Sequence, residues 1–159
     1  MRPFFQVQTA MKTYQHRFRV RASLAEVAAF HRQSASMGAI TPPPVYAQIR
    51  RAPAELGEGD EMAFTLWMGP FPLRWLARIE EVSAVGFSDR QIEGPFHTWN
   101  HRHGFVAVNE RVTDVYDTVT VEFKTGRAAR FVGMGMWLNL PILFAYRGWK
   151  TRRLLEKHS

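Results

Sequence analysis

The stretch Asp89-Arg-Gln-Ile-Glu-Gly-Pro-Phe-His-Thr-Trp-Asn-His-Arg-His-Gly-Phe105 gathers three of the chain's six histidines among acids and large aromatics. Gly94-Pro95 breaks it into two runs of alternating character, the pattern of a hairpin, in which side chains two apart share a face. Trp99, His101, His103 and Phe105 then line the inner face, and Thr98, Asn100 and Arg102 the outer one. A three-residue loop of Gly94, Pro95 and Phe96 sets Asp89 opposite His101, Gln91 opposite Trp99 and Glu93 opposite His97. In the strand that follows, Val115, Asp117, Val119, Val121 and Phe123 share a face, and a turn centred on Glu110 brings Asp117 opposite His103.

Asp89, Gln91, His101, His103 and Asp117 thus form a polar group on an apolar face, and that composition suits several kinds of chemistry. Buried polar side chains must be hydrogen-bonded, so the group can simply hold a wall in shape. Apolar walls with a few placed polar groups also make a small-molecule pocket. A histidine held by an acid can act as a general base, with His101 as the base and Asp89 orienting it, which would serve a cyclisation or dehydration. His-x-His places two imidazoles on one side of a strand about 7 Å apart at Cα, close enough to share an ion. That spacing looks cupin-like, but the next acid, Glu110, is too distant to complete it, so neither a resident metal nor a cofactor is expected. With no Gly-x-Ser-x-Gly and no cysteine, hydrolysis through a nucleophile is unsupported.

These residues need a sheet to hold them. Alternation over 11–21 puts Tyr14, His16, Phe18 and Val20 on one side and predicts a first strand after an N-terminal arm over 1–11. Ser23-Leu-Ala-Glu26 is a capping box opening a short helix that fades near Ser34–Gly38, before the extended Thr41-Pro-Pro-Pro44. Strands are predicted over about 45–51, 60–68, 72–82, 85–92, 97–107 and 112–123, an antiparallel meander. Residues 127–136, with Gly133-Met-Gly-Met136, read as a flap and then a helix begins with Pro141 in its first turn. Ile142, Tyr146 and Trp149 make one apolar stripe of that helix, and Leu140, Phe144 and Leu155 another, while Gly148 lets the sheet or a ligand come close. The layout is α+β, with a single domain over 12–159 and a cavity between sheet and helix.

Composition narrows the partners. A chain of 159 residues that is 46% hydrophobic has ample material for one core. The net charge of +7 favours anionic partners, yet the arginines are scattered, with neither a recognition helix nor a basic stripe, so nucleic acid is not expected. The absence of cysteine excludes disulfides and thiolate sites. The apolar run near Met1 is too short for a secretory signal, and the charge-free run from Phe131 to Tyr146 is too short to span a bilayer, so a cytoplasmic protein is expected. Trp67, Met68, Phe71 and Trp75 flank the Gly69-Pro70 turn and either cover the core, or touch a membrane or guard the cavity mouth.

The order of elements and the residues Asp89-Arg-Gln-Ile-Glu-Gly-Pro-Phe96, Trp99-Asn-His-Arg-His-Gly-Phe105, Thr41-Pro-Pro, Trp75-Leu-Ala77 and Phe144-Ala-Tyr-Arg147 resemble the SRPBCC superfamily, across about residues 12 to 156. Within it the chain is most similar to the bacterial ligand-binding, cyclase/dehydrase-like branch. The resemblance implies a START-like helix-grip fold, a curved antiparallel sheet of about seven strands wrapped around a long C-terminal helix. It also implies an internal cavity for an aromatic or lipid-like molecule, with Trp99, Phe105 and Phe144 as aromatic walls and Asp89, Gln91, His101, His103 and Asp117 at its polar end. Carriers, polyketide cyclases and dehydratases share this fold, so the same residues serve either a binding module or an enzyme, and a membrane-docking lipid shuttle is a further alternative. Val121 stands where members tend to have a tyrosine, and the Gly/Met segment is this chain's own.

Overall fold

A computed structural model describes residues 10–156. The arm expected over 1–11 lies outside the described residues except for its last two positions. The elements run β1 (Lys12–Val20), α1 (Leu24–Arg32), α2 (Ser34–Ala39), β2 (Val45–Arg51), β3 (Glu61–Met68), β4 (Phe71–Ser83), β5 (Gly86–Glu93), β6 (Thr98–Asn109), β7 (Val112–Glu122) and α3 (Arg127–Leu155). One sheet contains all seven strands in the order β1-β7-β6-β5-β4-β3-β2, with every neighbouring pair antiparallel. Six consecutive strands form the meander, and β1 returns to close its far edge against β7. The apolar members of each alternating run meet α3 and the two short helices, and that common face is the core.

Local signals set the helix ends. Ser23 Oγ accepts from the Glu26 backbone N–H at 3.3 Å, and Glu26 Oε2 accepts from the Ser23 N–H at 2.9 Å, so two otherwise orphaned donors are satisfied. The helix does not fade after Arg32 but restarts. Gln33 is extended, and the segment at 54–56 crosses there, Leu56 N–H donating to Arg32 O and Ser34 N–H to Ala54 O, before α2 begins.

Two expectations are corrected. Residues 127–136 are not a flap: α3 is continuous for 29 residues, with Pro141 inside it instead of in its first turn. Packing outweighs the weak helix propensity of glycine here. A Cβ on Gly133 would lie 3.1 Å from Phe123 and 3.4 Å from Phe96, so the small residue lets the helix settle onto the aromatic core. Gly148 does the same against β1, its missing Cβ leaving 3.1 Å to the Phe18 ring. The second correction concerns the hairpin. Asp89 pairs with His101 as expected, but the β5–β6 ladder ends at Arg90–Asn100, so the Gln91–Trp99 and Glu93–His97 pairs do not form. Phe96 turns into the core, and the Gln91 amide follows it, accepting from Phe96 N–H at 3.2 Å and donating to Phe96 O at 2.8 Å.

Candidate functional site

The middle of β6 carries the site. Its alternation sends His101 and His103 inward, and one ladder step to either side brings Asp89 from β5 and Asp117 from β7. The four side chains interlock. His101 Nε2–H donates to Asp117 Oδ1 at 2.8 Å, and His101 Nδ1 lies 3.2 Å from Asp89 Oδ2. His103 Nε2–H donates to the same Asp89 oxygen at 2.9 Å, while its Nδ1 sits 3.4 Å from Asp117 Oδ1 without hydrogen-bonding geometry. The two imidazoles pack with centroids 3.8 Å apart, and Trp99 Nε1–H donates to the other Asp89 oxygen at 3.3 Å.

This geometry decides protonation. Burial alone would lower the pKa of His101, but Asp89 and Asp117 together outweigh it and lift the value to about 9. Burial works to raise both carboxyl groups, yet the two histidines hold them well below the usual carboxylate range. His101 is therefore an imidazolium at neutral pH with a carboxylate at each nitrogen. That arrangement disfavours the role of general base considered for His101: Asp89 stands at Nδ1 as an orienting acid would, but Asp117 lies against Nε2, the nitrogen that would take a proton.

Beside the tetrad lies a cavity of about 130 Å³. Of the candidate residues, Asp89, Trp99, His101 and His103 line it. The other four candidates stand back from it. Asp117 lies behind the imidazoles, Phe105 packs against His31 at 5.1 Å, Phe144 meets His101 edge-on at 5.3 Å, and Gln91 is spent on the hairpin loop. The lining also includes residues outside the candidate set, among them His31 of α1, Arg147 of α3 and Trp75 of β4, the last read from the sequence only as core cover or a guard of the cavity mouth. Two of them had a faint local signal in helix spacing. His31 falls four residues after the buried Val27, and Arg147 three after the buried Phe144, so both continue the inner face of their helices.

His31, Trp75 and Arg147 supply free valences to the cavity, beside the unpartnered His103 Nδ1. Burial, reinforced by the neighbouring His103, lowers His31 to about 4, so its ring is neutral at pH 7. Its Nδ1–H donates to Val27 O at 2.9 Å, which leaves the Nε2 lone pair as an acceptor. Arg147 lies over the Phe144 ring at 5.4 Å, and its Nε–H is buried with no acceptor. Burial depresses its pKa while Asp117 and Asp89 resist that, and a guanidinium stays charged under such conditions. Trp75 Nε1–H is likewise buried without a partner. Two donors in one cavity thus lack acceptors, which a native interior rarely tolerates.

Asp89, His101 and His103 offer three donor atoms within 4.8 Å of one another, the one cluster of metal-ligating groups among the described residues. A cation there would have to displace the protons that the two carboxylates hold on His101, so the arrangement fits an ion pair network better than a metal.

No protein-family profile matches the sequence, and no curated protein matches it by sequence. Solved structures do match in fold. Norcoclaurine synthase from Thalictrum flavum, in complex with dopamine and hydroxybenzaldehyde, is similar at 16% identity and a TM-score of 0.70, covering 100% of this chain and 95% of that one. The Zhui aromatase/cyclase from a Streptomyces species is similar at 17% identity and a TM-score of 0.67, over 91% and 96% of the two chains. Ara h 8.0201 is similar at 13% identity and a TM-score of 0.56, over 89% and 99%. The chain therefore shares the helix-grip fold of these structures, its curved antiparallel sheet closing on a long C-terminal helix.

Proposed function

We propose that the chain is a binding module for a small aromatic molecule whose polar end carries acceptor oxygens, a carboxylate or a conjugated ketone. The observation that carries this reading is the pair of buried donors, Arg147 Nε–H and Trp75 Nε1–H, left without acceptors in one apolar-walled cavity. A ligand oxygen satisfies them, and the neutral His31 Nε2 takes a hydrogen bond from a ligand hydroxyl. Size limits the ligand further. About 130 Å³ is close to the roughly 150 Å³ apolar cavity that accepts benzene and below the roughly 300 Å³ at which pockets for larger ligands begin, so one ring fits better than a lipid chain or several fused rings. The fold's use in norcoclaurine synthase, which holds dopamine and hydroxybenzaldehyde, is consistent with small aromatic ligands.

Fluorescence of Trp75 and Trp99 in the cavity wall reports occupancy. Titration with 4-hydroxybenzoate is expected to quench it, and Arg147→Met to weaken that binding about tenfold to a hundredfold while leaving toluene binding unchanged, the loss of a hydrogen bond to a charged group. Equal affinity of both proteins for the acid, or no retained organic mass in native mass spectrometry together with no quenching, refutes the reading. Turnover of the cyclase or dehydratase kind is the second reading, and the fold it shares with an aromatase/cyclase speaks for it. Its base would be His31, whose Nε2 is left unprotonated by the Nδ1–H bond to Val27 O, and His31→Gln would then abolish turnover while keeping most of the affinity.

A further inference from the structure

α3 has a second apolar face that the fold leaves open. Its inner face is buried through Gly133, Leu140, Phe144, Gly148 and Thr151. On the opposite side Phe131 is 81% exposed, Leu138 69%, Ile142 66% and Trp149 48%. At 100° per residue these four side chains fall within about 20° of a single line, which runs about 27 Å along the helix at 1.5 Å per residue. The helix is long and apolar enough by length and composition to cross a membrane, yet only 17% of its most apolar window is buried. An unbroken apolar line of this kind is unusual on a surface that meets only water.

Charge identifies what it meets. Arg127 and Arg130 precede the line, and Lys150, Arg152 and Arg153 follow its end at Trp149, while no aspartate or glutamate occurs anywhere from Arg127 to Leu155. Lys150 and Arg153 flank the Trp149 indole at 6.0 and 5.7 Å, an aromatic ring with cations at its rim. A second copy of the chain is a poor occupant, because cations stand at both ends of the line and would meet cations in either a parallel or an antiparallel pairing. The line also lies on the convex outer side of a cylinder and offers no groove to a partner's side chains. A fluid surface that is apolar beneath an anionic layer meets both features.

We propose that the outer face of α3 docks on anionic lipid membranes, with Phe131, Leu138, Ile142 and Trp149 entering the headgroup boundary and the flanking Arg and Lys side chains pairing with lipid phosphates. The same helix supplies Met136, Leu143 and Arg147 to the cavity from its other side, so docking would hold the cavity wall at the membrane surface. The outer face is independent of what the cavity binds, and the test below does not involve a cavity ligand.

The full chain is floated with vesicles of phosphatidylcholine alone and of phosphatidylcholine with phosphatidylglycerol. Binding is expected only to the anionic vesicles and should fall as salt rises. Leu138→Gln with Ile142→Gln removes apolar contact, and Lys150→Gln with Arg153→Gln removes charge. Each pair should lower vesicle affinity roughly tenfold or more with an unchanged circular dichroism spectrum. Leu138, Ile142 and Arg153 are exposed and Lys150 is half-buried, and the two pairs fail independently if one disturbs the fold. Absence of flotation with anionic vesicles overturns the proposal, as does undiminished binding by both variants. A dimer in light scattering that Leu138→Gln with Ile142→Gln dissociates would assign the face to self-association instead, and vesicle binding displaced by an acidic peptide without salt dependence would assign it to a protein partner.

Discussion

Replacing His101 by glutamine tests the central claim about the tetrad, that a buried imidazolium sits between two carboxylates. The raised pKa sets the magnitude. A shift from 6.5 to about 9 corresponds, at 1.36 kcal/mol per unit, to about 3 kcal/mol of folding stability. Removing one partner from a buried ion pair costs a similar amount, about 3 to 5 kcal/mol, since the remaining charges lose their compensation. The sign with pH follows from the direction of the shift. Because the folded value is raised, the stabilisation is fully present below the unfolded value near 6.5 and is lost as pH rises through about 9. In His101→Gln the dependence should reverse on the acid side: Asp89 and Asp117, freed of the cation that depresses them, take up protons more readily in the fold, so the variant gains stability relative to wild type as pH falls. Urea unfolding followed by tryptophan fluorescence from about pH 5 to about pH 10 measures both slopes, and NMR titration of the His101 ring gives its pKa directly. A ring that titrates at or below the ordinary histidine value, or a variant within about 1 kcal/mol of wild type with a parallel pH profile, would refute the argument.

Two backbone positions give sharper tests of how the site is held. Gly86 has φ 153°, and a Cβ there would lie 2.1 Å from the His103 carbonyl oxygen. Gly86→Ala is expected to cost about 2 to 4 kcal/mol in chemical unfolding and, by disturbing the β5–β6 ladder that aligns Asp89 with His101, to lower the His101 pKa seen by NMR. Ser23→Ala removes one half of the capping box and should cost about 1 kcal/mol in the same assay, with 4-hydroxybenzoate affinity nearly unchanged because His31 lies in the last turn of α1, far along the helix from the cap.

Much of this site was legible in the chain because strand periodicity is a local property. Alternation alone put Trp99, His101, His103 and Phe105 on the inner face, and turn positions paired Asp89 with His101 and Asp117 with His103. The capping box was readable for the same reason, since its partners are three residues apart. What alternation does not contain is how far side chains reach across strands. That both carboxylates converge on His101, turning a candidate base into a fixed cation, depends on rotamers chosen in the packed interior. Nor does it predict that the β5–β6 ladder stops short of Gln91, whose amide instead bonds the backbone of the buried Phe96.

The helices show the division more plainly. The pattern after residue 137 displayed two apolar stripes, Leu140 with Phe144 and Ile142 with Trp149, and periodicity treats them alike. Docking on the sheet buries the first and leaves the second exposed. Gly148, read from the sequence as a place where the sheet or a ligand could come close, lies against Phe18, whereas Gly133, read as part of a flap, lies in the helix against Phe123. His31 and Arg147, far apart in the chain, meet in one cavity only because α1 and α3 pack on the same face of one sheet. The amino-acid sequence by itself determined the strands, their inward faces and the cross-strand acids, because those follow from neighbours a few residues away. The tertiary structure decided which groups are charged, which donors go unsatisfied and which helix face stays open, because burial and electrostatics are set by neighbours that the chain brings together only on folding.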